Sequence, residues 1–397
     1  MKKKLFLKLF LSLQILHITV ITQLLSIPLF DAYPDLKEKV PYVELGKLPT
    51  PIKKLENLGK HLGVKNLYIK QDNFSGDLFG GNKVRKLEFL LGAAQQAGAT
   101  GVITTGSAGS NLVAATAAYA HKLDMTCYAL LIPQNNAAYL RRNLLLMHHY
   151  NAILELLKTP AERTIALLAV NKSYKEITGN SLFVIPKGGS DKLGTLGFVN
   201  AAFELKKQIE AGILPEPNFI YIARGTMGSS VGLALGLKAA GLKSVVVPVA
   251  DEFYKEPIQD MISLFKDTNN YLRSIDPKFQ EHTITEKDLA LFHGDFYGKD
   301  YAHIDTKTAD AIKLMYTLED IKLDGTYTGK ACAAMLHDIH NKKIHMRENN
   351  EENVILFWNS YCSENYEEIT KAVNYKELPI EFHKYFETGL QALDQGV

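Results

Sequence analysis

Short apolar runs alternate with helix-forming segments along most of the chain. Apolar runs rich in β-branched residues predict strands, and glycine-containing turns separate them from segments rich in alanine and leucine that predict helices. The predicted strands are Leu67–Lys70, Val102–Thr105, Thr126–Ile132, Ala152–Leu156, Leu182–Ile185, Phe219–Ala223, Ser244–Val249 and Val354–Trp358. This alternation is typical of parallel sheets that helices cover on both faces, so the predicted fold class is α/β.

Helices are predicted in most of the intervals between these strands. The predicted helices are Ile52–Leu62, Lys86–Ala97, Asn111–His121, Ala138–His149, Leu193–Ala211 and Ser229–Ala240, followed by two more between Thr306 and His340. Residues 251–295 are richer in charge, and we expect them to be helical. No repeat of fixed period interrupts this order.

Length and charge narrow the possible classes of protein. The chain has 397 residues, which suits two domains or one large α/β unit. With 45 basic and 43 acidic residues, the chain lacks the basic excess that nucleic-acid binding requires. Cys127, Cys332 and Cys362 have neither metal-ligand nor disulfide spacing. We therefore expect small buried cysteine side chains and no metal site.

Residues 1–30 differ from the rest of the chain. Three lysines at residues 2–4 precede an apolar run that a lysine, a histidine and two glutamines interrupt. A charged start before an apolar run outlines a secretory signal or a membrane anchor, but no Ala-x-Ala cleavage site follows and the polar residues weaken a spanning helix. An amphipathic or poorly ordered extension is the alternative. We expect a cytoplasmic protein, with targeting or membrane contact open only through this segment.

A lysine framed by glycines is the first candidate for chemistry. Gly80-Gly81 and Asn82 precede Lys83, and a helix-forming run follows. The glycines permit close approach of a planar ligand. A lysine where a loop enters a helix can lose its hydration, which lowers its pKa and exposes the neutral amine that Schiff-base chemistry needs. The alternative is a basic first turn with Arg85 and Lys86, although such a turn opposes the helix dipole.

A second candidate site is the glycine- and serine-rich segment 223–232, between a predicted strand and a predicted helix. Converging backbone N–H groups and a helix N-terminus can bind a phosphate there. A dinucleotide site is a competing interpretation, because Gly225, Gly228 and Gly232 open a β-α-β unit and Asp251 follows the next strand. The spacing departs from G-x-G-x-x-G, and a simple strand–helix turn is a third interpretation.

Several motifs together resemble those of the pyridoxal-phosphate enzymes grouped as aminocyclopropane-carboxylate deaminases and D-cysteine desulfhydrases. They are Gly80–Glu88, Ser110-Asn111, Gly188-Gly189-Ser190, Gly225–Ser229 and Tyr327-Thr328-Gly329-Lys330. The resemblance covers residues 41–358 and implies a tryptophan-synthase-β-like fold of two domains, each with a mostly parallel sheet under helices. It implies a large domain of residues 41–85 and 186–397, a small domain of residues 86–185, and the cofactor between them.

The resemblance also implies roles for individual residues. Lys83 would carry pyridoxal 5'-phosphate, and the other expected cofactor contacts are Asn82, Asn111, Gly225, Thr226, Met227, Gly228, Ser229 and Thr328. The expected catalytic residues are Lys83, Ser110, Tyr301 and Tyr327. The chain departs from the family at Leu112, where a histidine is usual, and at Asn359–Cys362, where many members have His-Thr-Gly-Gly.

Thr328 bears on the choice between the family's two reactions. The deaminases have a glutamate there, which can keep the cofactor's ring nitrogen protonated, whereas a neutral hydroxyl cannot supply the same charge. This favours elimination from D-cysteine or a β-substituted D-alanine, giving pyruvate, sulfide and ammonia, with aminocyclopropane-carboxylate deamination as the alternative. A nicotinamide-dependent enzyme and a non-catalytic cofactor-binding protein are alternatives of other classes. We expect a homodimer that acts on a small amino acid and binds no nucleic acid.

Overall fold

Two separate sheets organise the protein in a computed structural model, which describes residues 27–159, 161–250, 257–289, 292–341 and 353–394. The strands are β1 Ile52–Lys54, β2 Leu67–Gln71, β3 Gly101–Ser107, β4 Thr126–Ile132, β5 Ile153–Leu156, β6 Phe183–Ile185, β7 Phe219–Arg224, β8 Val245–Ala250 and β9 Ile355–Asn359. All eight predicted strands are present, and β1 is an addition.

The α-helices fall between and around these strands. They are α1 Pro28–Ala32, α2 Pro34–Lys39, α3 Glu56–Leu62, α4 Asn82–Gln96, α5 Asn111–Lys122, α6 Ala138–His149, α7 Glu162–Thr178, α8 Leu196–Glu210, α9 Gly228–Ala240, α10 Pro257–Ile275, α11 Thr306–Glu319, α12 Thr328–His340, α13 Glu367–Ala372 and α14 Lys384–Glu387. None of the helices in the described ranges is long and apolar enough to cross a membrane.

The larger sheet has the strand order β1-β2-β9-β7-β8. Only β1 runs antiparallel to its neighbour, and the other pairs are parallel. Every residue of the central strand β9 is buried, which is typical of a parallel sheet covered on both faces. Helices α11 and α12 contribute to the apolar core on one face, and α8 and α9 to the core on the other.

The smaller sheet has the strand order β5-β4-β3-β6, and all its strands are parallel. Helices α5 and α6 pack on one face, together with α4. Helix α7 packs on the other face through Leu167, Val170 and Tyr174. The prediction of parallel sheets under helices is therefore confirmed.

Some predicted elements have different bounds or types. Residues 52–54 form a strand rather than the start of a helix, because Ile52 pairs with Lys70 across the sheet edge. Helix α4 begins at Asn82, four residues before the prediction, and this places Lys83 in its first turn. Within residues 251–295 the described α-helix is α10, and residues after it are largely irregular.

Helix α7 lies in an interval for which no helix was predicted. Its buried stripe is thin, and apolar residues also face outward: Ile165 is 72% exposed and Leu168 is 65% exposed. Apolar residues on more than one face blur the helical periodicity that a sequence pattern depends on.

Segments near both ends of the described chain pack into apolar cores. Leu29 and Phe30, placed by the sequence in an apolar extension, are buried in the core, and the Leu29 amide donates to Asn200 Oδ1 (3.0 Å). Near the C-terminus, Tyr366 and Phe382 pack into the core of the smaller sheet. Residues 1–26 lie outside the described ranges. The domain boundaries at residues 86 and 186 stay a prediction.

Candidate functional site

A cavity of about 490 Å³ lies where strands of both sheets end. Its lining includes Ser107 from the end of β3, Gln134 after β4, Gly188 after β6, Gly225 after β7 and Ser360 after β9. Parallel strands bring their following loops to one edge of each sheet, which is where α/β proteins bind ligands. The cavity is therefore the candidate active site.

Eight of the twelve predicted site residues line this cavity. They are Asn82, Lys83, Ser110, Asn111, Gly225, Thr226, Tyr301 and Tyr327. Met227, Gly228, Ser229 and Thr328 belong to the same loops and helix starts but are not among the lining residues. The structure thus brings together residues that are up to 245 positions apart, such as Asn82 and Tyr327. Their individual roles stay predictions.

The loop before Lys83 is held by the chain segment that follows β9. Gly81 has φ +85°, and a Cβ there would lie 2.7 Å from the Ser360 carbonyl oxygen, so only glycine fits. The Asn82 amide donates to that same oxygen (3.1 Å). Another amide of the loop donates to Cys362 Sγ (3.1 Å). The sequence departure at residues 359–362 therefore supplies contacts that position the lysine.

A buried ionic network lies behind the lysine loop. The Arg85 guanidinium donates to Asp72 Oδ2 (2.9 Å) and Glu204 Oε2 (2.8 Å), and Trp358 Nε1 donates to Asp72 Oδ2 (2.8 Å). Lys70 also pairs with Glu204. Burial alone would raise the pKa of Glu204, but Arg85 and Lys70 lower it to about 2. Arg85, one residue of the basic first turn, is therefore paired inside the protein rather than solvated.

A second lysine on α4 was assigned no role from the sequence. Lys86 is almost fully buried, and its Nζ donates to the Gly188 carbonyl (3.0 Å) and to Ser190 Oγ (3.0 Å). Ser190 Oγ also lies 2.8 Å from Thr226 Oγ1 and accepts from the Gly228 amide (3.1 Å). Burial, and then the nearby Lys83, hold the pKa of Lys86 well below its usual range. The sequence signal that could have singled out Lys86 is its three-residue spacing from Lys83, which places both lysines on one face of a helix.

These groups fit the phosphate of pyridoxal 5'-phosphate. A Cβ on Gly228 would lie 2.6 Å from Ser190 Oγ and 3.0 Å from Lys86 Nζ, so a larger residue here would displace these two polar groups from the cradle. Helix α9 begins there, and its N-terminus favours an anion. Asn82 Nδ2 donates to Ser229 Oγ (2.9 Å), which ties the lysine loop to the phosphate loop. Pyridoxal phosphate would then be held by this cradle with its aldehyde carbon at Lys83.

Three hydroxyl groups form a hydrogen-bonded chain in the cavity. Tyr301 Oη lies 2.7 Å from Tyr327 Oη, and Ser107 Oγ donates to Tyr301 Oη (3.1 Å). Asn135 Nδ2 donates to the Tyr301 carbonyl (3.1 Å) and holds that loop against β4. The sequence singled out both tyrosines but not Ser107. The sequence signal that could have singled out Ser107 is its position two residues after the predicted strand Val102–Thr105, in the same loop as Ser110.

Thr328 is linked to a carboxylate that the sequence analysis missed. Its hydroxyl donates to Asp324 Oδ1 (2.6 Å), and its amide donates to the same oxygen (2.9 Å). The Tyr327 amide donates to Asp324 Oδ2 (2.7 Å). Asp324 lines the cavity and compensates the N-terminus of α12. The Asp324 carboxylate is therefore hydrogen-bonded to Thr328. From the sequence, Thr328 was expected to be a neutral partner of the cofactor's ring nitrogen.

Both departures from the family pattern lie at this cavity. Leu112 lines it where the family has a histidine, and so do Ser360 and Tyr361. Asn359 is buried beneath them, and its Oδ1 accepts from the Tyr361 amide (3.2 Å). Asn111 Oδ1 accepts from Asn143 Nδ2 (2.8 Å), which orients the predicted cofactor contact.

Comparison with known proteins identifies the family of the chain. A family model described as "Pyridoxal-phosphate dependent enzyme" matches residues 43–359. A D-cysteine desulfhydrase from Klebsiella pneumoniae (strain 342) is 35% identical over an alignment of 332 residues, and the match covers 80% of this chain and 93% of that protein. The crystal structure of an ACC deaminase homologue has 28% identity and a TM-score of 0.70, covering 90% of this chain and 98% of that one.

More distant structures share the fold alone. The processed form of threonine deaminase isoform 2 from Solanum lycopersicum is 17% identical with a TM-score of 0.55, covering 86% of this chain and 92% of that one. These matches confirm the expected fold and cofactor and replace the dinucleotide interpretation. The chain belongs to the family of pyridoxal-phosphate-dependent enzymes.

Proposed function

We propose that the protein eliminates thiol from the β-carbon of D-cysteine or a similar β-substituted D-alanine. D-cysteine and water would give pyruvate, hydrogen sulfide and ammonia. The observation that carries the proposal is the cavity that brings Lys83 together with the Tyr301–Tyr327 hydroxyl pair. The similarity to a D-cysteine desulfhydrase over most of both chains supports the substrate.

Side chains of the cavity have separate proposed roles in this reaction. Pyridoxal phosphate, when bound, draws electrons from the α-carbon of an amino acid. Lys83 would take the α-proton, and Ser110 with the N-terminus of α5 would hold the substrate carboxylate. The Tyr301–Tyr327 pair would give a proton to the departing sulfur, so that it leaves as a neutral thiol.

Deamination of 1-aminocyclopropane-1-carboxylate is the second candidate. The hydrogen bond from Thr328 to Asp324 supports this second reaction, since a carboxylate behind the threonine can compensate positive charge on the cofactor ring. The neutrality of threonine therefore no longer selects between the two reactions. Similarity to an ACC deaminase homologue supports the same candidate. The expected homodimer is a separate proposal, which light scattering tests.

The first prediction concerns the reaction itself. Purified protein loaded with pyridoxal phosphate is incubated with D-cysteine, L-cysteine or 1-aminocyclopropane-1-carboxylate, and sulfide and the oxoacid products are quantified. We expect sulfide and pyruvate from D-cysteine at the highest rate. Lys83→Ala should abolish turnover and the visible cofactor band that borohydride removes from the parent protein, because the amine that holds the cofactor is lost. Lys299→Ala, at an exposed lysine near Tyr301, should retain both.

Other outcomes separate the candidates. Faster release of 2-oxobutanoate from the cyclopropane would establish the second candidate instead. A normal cofactor band with no turnover of any of the three compounds would contradict both reactions.

A further inference from the structure

Helix α6 directs two neighbouring polar side chains toward the loop that carries Asn111. Asn143 is fully buried, and its Nδ2 donates to the Gly109 carbonyl (2.9 Å) and to Asn111 Oδ1 (2.8 Å). Its Oδ1 accepts from Arg142, at 3.2 Å from Nε and 3.1 Å from Nη2. The amide of Asn143 is therefore hydrogen-bonded at both ends inside the core. The sequence analysis singled out Asn111 but neither residue of α6.

The partners of Asn143 determine which end of its amide faces which group. A guanidinium only donates hydrogen bonds and a carbonyl only accepts them, so the amide oxygen faces Arg142 and the amide nitrogen faces Gly109. The second N–H of Asn143 then points at Asn111, which must present its own oxygen. Turning either amide over would bring two donors or two acceptors together, which is costly in a buried site.

The nitrogen of the Asn111 amide is thereby left for the active-site cavity. Asn111 lines that cavity, and its Nδ2 has no acceptor among the residues that the structure describes. The residue is the first of α5, so the positive end of the helix dipole lies there as well. An N–H donor at this point stabilises negative charge on an oxygen atom of a bound ligand.

Arg142 is in turn held by the segment that follows β9. Its Nη1 donates to Tyr361 Oη (2.9 Å) and to the Cys362 carbonyl (3.1 Å), and its guanidinium carbon lies 5.6 Å from the centre of the Tyr366 ring. A guanidinium keeps its charge at every pH at which the protein is folded, so this anchor does not titrate. The segment in which the chain departs from its family therefore reaches Asn111 through Arg142 and Asn143.

Pyridoxal phosphate has one oxygen that suits this donor. Its phosphate fits the cradle formed by the loops after β6 and β7, and its aldehyde carbon would be at Lys83. The phenolic oxygen neighbours the aldehyde carbon on the ring, on the side opposite the phosphate arm. Asn111 enters the cavity from the loop after β3, in the other sheet.

We propose that Asn143, oriented by Arg142, is a positioning residue that turns the N–H end of the Asn111 amide toward the phenolic oxygen of pyridoxal phosphate. Asn143 acts through Asn111 alone and touches neither cofactor nor substrate. The donor keeps the phenolic oxygen anionic, which is the form in which the bound cofactor absorbs visible light. The proposal rests on the predicted cofactor contact of Asn111, and it does not depend on which amino acid is the substrate.

Two substitutions of Asn143 make different demands on Asn111. In Asn143→Asp, one carboxylate oxygen still accepts from Arg142, but the other can only accept as well, so Asn111 must turn its N–H end away from the cavity. Asn143→Leu removes every hydrogen bond of the side chain and leaves Asn111 able to adopt either orientation. A purely structural role predicts the larger defect for the leucine variant, whereas the positioning role predicts it for the aspartate variant.

The absorption spectrum of the full-length, cofactor-loaded protein is the first measurement. Asn143→Asp should lose most of the visible band to a near-ultraviolet band, because an acceptor that faces the phenolic oxygen favours its protonated form. Asn143→Leu should lie between this variant and the parent protein. Asn151→Asp, the same substitution at an exposed position just after α6, should match the parent protein.

Cofactor affinity gives an independent measurement. Isothermal titration of the cofactor-free proteins with pyridoxal phosphate should show binding about tenfold weaker for Asn143→Asp and about threefold weaker for Asn143→Leu, as expected when a hydrogen bond to a charged oxygen is lost. The analogue 3-deoxypyridoxal 5'-phosphate lacks the phenolic oxygen. It should bind the parent protein and both variants with affinities that agree within about twofold.

A parent-like spectrum in Asn143→Asp, a larger defect in Asn143→Leu, or equal losses of affinity for the cofactor and the analogue would each overturn the proposal. If circular dichroism shows that Asn143→Asp does not fold, Asn143→Leu decides the question: unchanged cofactor affinity in that variant would contradict the positioning role. None of these measurements uses a substrate, so a failure here is distinct from a failure of the proposed reaction.

Discussion

Ser107 ends β3 with its hydroxyl in the active-site cavity, where it donates to Tyr301. Tyr301 in turn lies within hydrogen-bond distance of Tyr327. Ser107, Tyr301 and Tyr327 therefore form one chain of hydroxyl groups, and the donor at Ser107 influences how the two tyrosines share their protons. At the scale of single residues, a side chain that need not touch the substrate can thus orient the tyrosine pair that we propose protonates the leaving sulfur.

Ser107→Ala should lower kcat for elimination by about fivefold to tenfold with little change in KM, because one neutral hydrogen bond to the acid is lost. Ser107→Thr keeps the hydroxyl and should restore most of the rate. Steady-state kinetics across pH provides the measurement. A loss that appears in KM alone, or one that threonine fails to rescue, would assign Ser107 to substrate contact or packing.

At the scale of elements, the joint between β7 and α9 decides whether a phosphate fits. Met227 has φ +70° at this turn, and Gly228 opens the helix against Ser190 and Lys86. Four elements thus meet at this cradle: β7, α9, α4 and the turn after β6. A side chain at residue 228 would push Ser190 Oγ and Lys86 Nζ out of their present positions in the cradle.

Gly228→Val should weaken pyridoxal-phosphate affinity by roughly tenfold or more, since overpacking such a site costs about 1–3 kcal/mol. Titration of the cofactor-free protein, followed by the visible cofactor band, measures the affinity. Asp251→Asn is the control: residue 251 lies outside the described ranges, and a dinucleotide site would need its carboxylate whereas a phosphate cradle does not. An unchanged affinity for Gly228→Val would contradict the assignment of the cradle.

At the scale of the whole molecule, the Arg85 network joins separate parts of the chain. It connects Asp72 after β2, Arg85 on α4, Glu204 on α8 and Trp358 on β9. Removing one partner of a buried ion pair costs far more than an exposed pair contributes, because the remaining charge stays buried.

Glu204→Gln should lower the free energy of unfolding at pH 7 by roughly 3 kcal/mol, as expected from the fall of the Glu204 pKa from 4.5 to about 2. A depressed carboxylate pKa stabilises the fold above the unfolded value and loses that contribution as the pH falls toward 2. The difference between the two proteins should therefore shrink below about pH 4.5. Denaturant unfolding across this range, with exposed Glu210→Gln from the same helix as control, checks it. A constant difference would contradict the ionic origin.

Local sequence patterns determined most of the secondary structure of this protein. Apolar runs and glycine turns predicted every strand except β1, because the burial of a strand follows from its own residues. The cofactor was implied by the resemblance of the motif around Lys83 to that of a known family. β1 escaped prediction since only pairing with β2 makes it a strand. Helix α7 escaped because exposed apolar residues obscure its buried face.

Tertiary structure alone decided the partners of each charged and hydroxyl group. Lys86 meets Ser190 across 104 positions, Ser107 meets Tyr301 across 194, and Cys362 meets the lysine loop across 282. Asp324 lies only four residues from Thr328, yet the path of the turn before α12 is what places its carboxylate on that hydroxyl. Such contacts depend on how the sheets bring distant loops to one edge. The order of residues along the chain does not show which of these loops will meet.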